Sequence, residues 1–177
     1  MPRIPYLPEN ITEPKALVDS IRARRGGRLN EADRTVLHAP RFARGWNEIS
    51  RAVRLEIGLQ PKLRELAVIG IGVLNGTPFE VKKHTPEFLK GGGTQAQLKA
   101  LERFEDAAEN KALFDELERA VMRLTIEMTR NVRVSDATFA EVQRLLPSNE
   151  SVVEMIGTIA MYNMVARFLV ALQVEEQ

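Results

Sequence analysis

Two carboxylates and a histidine stand at spacings that a pair of helices could bring together. Glu65 is followed by eleven mostly apolar residues, then by Thr77-Pro-Phe-Glu80-Val-Lys-Lys-His84. Glu65 lies ten residues before Asn75, and His84 lies seven after Thr77. With a rise of about 1.5 Å per residue, an antiparallel hairpin would set their axial levels only about 5 Å apart. Glu80 and His84 are four residues apart and share a helix face. A histidine titrates near neutral pH, and a flanking carboxylate orients it and raises its pKa, so the trio has the composition of a proton-transfer site. Each member also has a structural reading. Glu80 is three residues after Thr77, the spacing of a capping box. His84 could be a hydrogen-bonded core residue, and Glu65 could be the buried partner of Arg64 or Arg167, since a buried carboxylate is costly unless paired.

Other candidates are secondary. Tyr162 and Asn163 are polar breaks in an apolar stretch, and Arg167 could hold a substrate carboxylate or an internal one. Thr77, Tyr162 and Arg167 are therefore the candidate substrate-binding residues. Glu80-x-x-x-His84 supplies only two ligands, which does not make a metal site, and no phosphate loop is present, so neither metal nor cofactor is expected. His38 precedes Ala39-Pro40, where a cation suits a helix end.

Composition narrows the classes. Lys and Arg total 25 against 24 for Asp and Glu, so a general nucleic-acid binder is not expected. The one basic cluster, Arg22-Ala-Arg-Arg25 with Arg28, reads as a solvated helix end. Cysteine is absent from all 177 residues, which removes disulfide, thiolate-metal and thiol-redox chemistry from this chain and suits a cytoplasmic setting. The apolar stretch 66–74 is short of the ~20 residues a membrane span requires, and the opening Met1-Pro-Arg-Ile-Pro-Tyr-Leu-Pro8 has no signal-peptide core. No membrane association is expected.

The elements that must position the trio read as helices throughout, about eight in all. Prolines 2, 5 and 8 imply an extended arm over 1–12, followed by a single all-α domain over 13–177. Helices are expected at 16–24 and 31–38. Phe42, Trp46, Ile49, Val53 and Ile57 mark a third at helical spacing. Pro61 suits a first helical position and opens a central helix, apolar nearly all round, that runs to Asn75-Gly76. Gly70 and Gly72 inside it point to a close backbone neighbour. The next helix ends at Gly91-Gly-Gly93, and Thr94-Gln-Ala-Gln97 reads as a second capping box ahead of Leu98, Leu101 and Phe104. Further helices carry Leu113 to Met128, Phe139 to Leu146 after a Ser135 cap, and a last apolar run from about Asn149.

Glu65, Thr77, Phe79, Glu80 and His84 together resemble the core motif of the carboxymuconolactone decarboxylase and alkylhydroperoxidase D superfamily. The resemblance runs from Leu37-His-Ala-Pro-Arg41 to the closing Tyr162-Asn and Arg167. It implies an alkylhydroperoxidase D-like all-α bundle. In the peroxidase branch, related to the peroxiredoxins, a glutamate and a histidine relay protons to a Cys-x-x-Cys pair. Glu65 and His84 look like that glutamate and histidine, while Thr77 and Glu80 occupy the cysteine positions. Thiol peroxidase chemistry is thus not expected here. The decarboxylase branch implies a lyase: cofactor-independent acid–base work on a small lactone or organic acid, with Glu65, His84 and Glu80 as the catalytic group. The alternative is a vestigial site in an oligomeric scaffold or small-molecule binder of the same fold. The family also implies a homo-oligomer, from dimer to hexamer.

Overall fold

The computed structural model describes residues 1–175, and among these every regular element is helical: ten α-helices and one π-helical turn. The chain divides into two compact units, one comprising Met1–Ile57 with the chain from Phe168 on, the other Gly58–Arg167.

The first unit contains α1 (Lys15–Arg24), α2 (Glu31–Val36) and α3 (Pro40–Arg51), the last continuing into the π-helical turn Ala52–Glu56. Asn30 caps α2 through a complete capping box with Asp33. The proline-rich arm is bound to its own chain. Arg3 donates from its backbone N–H to the Leu172 carbonyl (2.9 Å), Tyr6 Oη donates to the Glu175 carbonyl (2.8 Å), and the Arg34 guanidinium lies over the Tyr6 ring. His38 is taken up here too, donating from Nε2 to the Pro5 carbonyl at 2.8 Å.

Within the basic cluster, Arg24 and Arg25 are not a solvated helix end but turn in to a buried aspartate, while Arg28 is exposed. The Arg24 side chain is 2% exposed and the Asp33 side chain 0%, with 3.2 Å between them, and Arg25 meets the same carboxylate at 3.0 Å. Arg24 Nε also donates to Asn47 Oδ1 at 2.7 Å. Burial, and then the neighbouring Arg25, lower the Arg24 pKa, with Asp33 opposing them. The clustering of charge along the sequence gave no sign of this, because the compensating aspartate is supplied by the next helix.

The second unit is built on α4 (Pro61–Asn75), whose residues from Leu66 to Gly72 are all buried. Pro61 opens it, and Gly76 closes it in the left-handed conformation (φ 65°), which a glycine adopts without steric penalty. The helix packs against α5 (Pro78–Lys90) and α8 (Glu116–Arg130). Gly72 does admit a backbone neighbour: an added Cβ would stand 2.8 Å from Val81 Cγ2 and 3.3 Å from the Val81 nitrogen. At Gly70 the neighbour is a side chain instead, the Phe104 ring.

Phe104 belongs to α7 (Phe104–Ala107), which is separate from α6 (Gln95–Leu101). That break is one reason the helix count exceeds the expected eight. The capping box at Thr94 and Gln97 is present. A core of Leu66, Ile69, Phe88, Phe104, Phe114 and Met122 fills the space between these helices. Ser135 caps α9 (Asp136–Leu145), accepting from the Thr138 N–H. The last helix, α10 (Asn149–Leu172), is 24 residues long. It is long and apolar enough by composition to cross a membrane, with a mean hydropathy of 1.6 over its most apolar window, half of which is buried inside the protein. The longest apolar element is therefore α10, whose polar interruptions Glu154, Asn163 and Arg167 hid its extent in the sequence.

Candidate active site

The turn at Gly76 folds α5 back along α4, and the hairpin brings the two titratable helix positions together. His84 Nδ1 donates to Glu65 Oε2 across 2.5 Å, and the two residues are 3% and 1% exposed. The other Glu65 oxygen, Oε1, accepts from Arg64 Nε at 3.0 Å. Glu65 thus has both the histidine and the Arg64 partner considered for it. Burial raises the Glu65 pKa, but the bonds from His84 and Arg64 outweigh it and hold the carboxyl below its usual value.

Glu80 lies one turn before His84 and is buried, with Oε2 3.4 Å from His84 Nε2. That separation is long for a hydrogen bond, and this buried oxygen makes no well-formed one elsewhere. The capping-box reading of Glu80 fails. Thr77 precedes Pro78 at the start of α5, but its side chain caps nothing; its hydroxyl donates to the Gly72 carbonyl at 3.2 Å. The Thr77 N–H donates to the same carbonyl at 2.8 Å, so it leaves the Glu80 carboxylate nothing to bind at the cap. Glu80 faces the histidine instead.

Tyr162 of α10 stands edge-on to His84, ring centroids 5.1 Å apart at 90°. Burial works against a charged imidazole. An electrostatic contribution from Tyr162 and the carboxylates of Glu65 and Glu80 outweigh it, and the His84 pKa is pushed up to about 10. At neutral pH the site holds an imidazolium between carboxylates, so His84 is set to give a proton rather than take one.

Four of the six sequence candidates (Glu65, Glu80, His84 and Tyr162) therefore meet around one imidazole. Thr77 sits buried at the turn. Arg167 is on a different node: its Nη1 donates to the Asn163 carbonyl at 3.0 Å and to Asn163 Oδ1 at 2.7 Å. Asn163 in turn receives Asn75 and donates to Thr129 Oγ1. No carboxylate of the described residues pairs with Arg167. This asparagine node ties α10 to α4 and α8. Asn163 was visible as a polar break, but its partners, 34 and 88 residues away, were not. Among the described residues, no group of three or more His, Asp and Glu side chains is arranged to hold a metal ion.

The family model for the carboxymuconolactone decarboxylase family matches residues 40–125, which spans the whole Glu65–His84 hairpin. The chain belongs to the carboxymuconolactone decarboxylase and alkylhydroperoxidase D-like superfamily. It is a member without the Cys-x-x-Cys pair. Solved structures of the superfamily fold superpose over nearly its full length. An uncharacterized peroxidase-related protein with an alkylhydroperoxidase D core from Ralstonia eutropha JMP134 aligns with TM-score 0.83 and 17% identity, over 99% of this chain and 92% of that one. The debrominase Bmp8, as a cysteine-to-alanine variant in complex with 2,3,4-tribromopyrrole, aligns with TM-score 0.80 and 15% identity, over 98% and 92%. A peroxidase-related protein from Silicibacter sp. TM1040 aligns with TM-score 0.76 and 14% identity, over 99% and 89%. At these identities the superposition establishes the fold alone. No curated protein matches the sequence.

Proposed function

We propose that this superfamily member is a cofactor-independent acid–base enzyme of the decarboxylase type, acting on a small lactone or organic acid. The observation that carries the reading is the buried 2.5 Å bond between Glu65 and His84, with the Glu80 carboxylate beside the other ring nitrogen. In an unsaturated lactone acid, the bond from ring carbon to carboxylate breaks, carbon dioxide leaves, and the electron pair moves into the conjugated ring toward the carbonyl. The His84 imidazolium stabilises that charge and then gives its proton to carbon. Glu65 keeps the ring oriented and cationic, and Glu80 or solvent returns the proton. Tyr162 stands edge-on against the same imidazole, while Arg167 is held by Asn163 on its own helix.

A relative of the same fold in complex with tribromopyrrole supports a small-molecule ligand. Thiol peroxidase or thiol-dependent dehalogenation is not proposed, because this chain contains no cysteine. A second reading, a small-molecule binder with an idle site, is favoured by the deep burial of all three titratable groups. A cytoplasmic, homo-oligomeric protein is the setting proposed for either.

The two separate on one experiment. The protein is incubated in deuterated water with a panel of unsaturated lactones that carry a carboxylate. Carbon dioxide release and product deuteration are followed by NMR. Turnover with one deuterium on carbon, lost in His84→Ala, is expected. Binding without turnover selects the second reading, and full turnover in His84→Ala removes the first.

A further inference from the structure

We propose that α10 is an antiparallel dimerisation helix, whose outward stripe pairs with the same stripe of a second copy about a two-fold axis between Gly157 and Ala160. The stripe is Glu150, Val153, Gly157, Ala160, Met164 and Arg167, all exposed. Their spacings of three and four residues alternate, so they fall within an arc of about 100° on a 3.6-residue helix. An alternating 3–4 stripe is the seam of paired helices. A helix apolar on all sides is normally enclosed on all sides, yet here Val153 is 69% and Met164 37% exposed. A Cβ added at Gly157 would meet nothing within 4 Å.

The ends of the stripe decide the occupant. In antiparallel register about that axis, Gly157 faces Ala160 of the second copy, Val153 faces its Met164, and Glu150 faces its Arg167. Small residues meet at the centre, larger apolar ones flank them, and opposite charges close both ends. Neither Glu150 nor Arg167 has an ion-pair partner among the described residues, so both are available for the partner. A parallel pairing would set Glu150 against Glu150 and Arg167 against Arg167, and would repel. A bilayer, the other surface that an apolar 24-residue helix fits, would leave both charges without partners. The inference is independent of the reaction proposed at Glu65 and His84.

The test is the mass of the full chain by sedimentation equilibrium, for wild type and four variants, with circular dichroism checking each fold. Wild type is expected to associate in multiples of two. Ala160→Glu places like charge at the axis and is expected to abolish that association. Glu150→Arg and Arg167→Glu alone should each weaken it at least about tenfold, since each breaks two symmetry-related pairs. The double variant should recover it, because the pairs re-form with signs exchanged. A monomeric wild type, an association unaltered by Ala160→Glu, or a double variant no better than the singles overturns the proposal. Flotation of wild type with phosphatidylcholine vesicles, lost in Ala160→Glu, would give the stripe to a bilayer and overturn it equally.

Discussion

Adding one methyl group at Gly45 and at Gly70 is the same chemical change with opposite expected outcomes. Both positions lie inside α-helices, where Ala is favoured over Gly by about 1 kcal/mol. At Gly45 the new Cβ meets nothing within 4 Å, so Gly45→Ala is expected to stabilise by about 1 kcal/mol. At Gly70 it would stand 2.1 Å from Phe104 Cζ and 2.3 Å from Cε2, where ordinary contact begins at 3.4 Å. The ring would have to retreat by more than an ångström. Phe104 is 1% exposed and enclosed by Leu66, Ile69, Phe88 and Phe114, so it has nowhere to go. Overpacking of this kind costs about 1–3 kcal/mol. Taking the upper end and offsetting the helix gain leaves Gly70→Ala less stable than wild type by roughly 2 kcal/mol. Urea unfolding followed by circular dichroism, at one protein concentration, should move the two midpoints in opposite directions with similar slopes. In a Phe104→Leu background the Gly70→Ala loss should shrink. A Gly70→Ala protein as stable as Gly45→Ala would refute the packing argument.

Glu65→Gln and His84→Ala should each abolish turnover while the far-ultraviolet circular dichroism stays helical; full activity in either would remove the residue from the reaction. Asp33→Ala leaves the buried Arg24 guanidinium, and the half-buried Arg25, without their shared carboxylate, and a loss of about 3–5 kcal/mol is expected in urea unfolding; a change below ~1 kcal/mol would mean that the site rehydrates at no cost. The His84 pKa is raised from 6.5 to about 10 in the folded protein. Its contribution to stability is therefore fully present below pH 6.5 and is lost as pH rises toward 10. Unfolding midpoints measured across that window should fall with pH in wild type and fall less in Glu65→Gln; a midpoint that climbs through the window would reverse the sign.

The hairpin was legible because it rests on local rules. Pro61 starts a helix, Asn75-Gly76 stops it, Pro78 starts the next, and helical rise then dictates that Glu65 and His84 draw level. The Thr77–Glu80 capping box was misread for a reason equally local: Thr-x-x-Glu has the same spacing whether the glutamate turns back to the cap or forward to a histidine four residues on. Only the tertiary position of Gly72, whose carbonyl takes both Thr77 donors, decides between them. Arg24 and Arg25 were misplaced at the surface because Asp33 is contributed by another helix. Likewise Gly70 announced a close neighbour, but not that Phe104, 34 residues later, would supply it. Helix starts, stops and rise could be read from the sequence, whereas partners supplied by distant parts of the chain could not.

The central claim is that Glu65 holds His84 as a cation in a site made for proton transfer. An NMR pH titration of the His84 ring tests it most directly, with His38→Gln to assign the two histidines and Glu65→Gln run in parallel. The account predicts a His84 that remains protonated well above pH 7 in wild type and releases its proton at distinctly lower pH in Glu65→Gln. A His84 that titrates near 6.5, or that ignores the loss of the Glu65 charge, would contradict it.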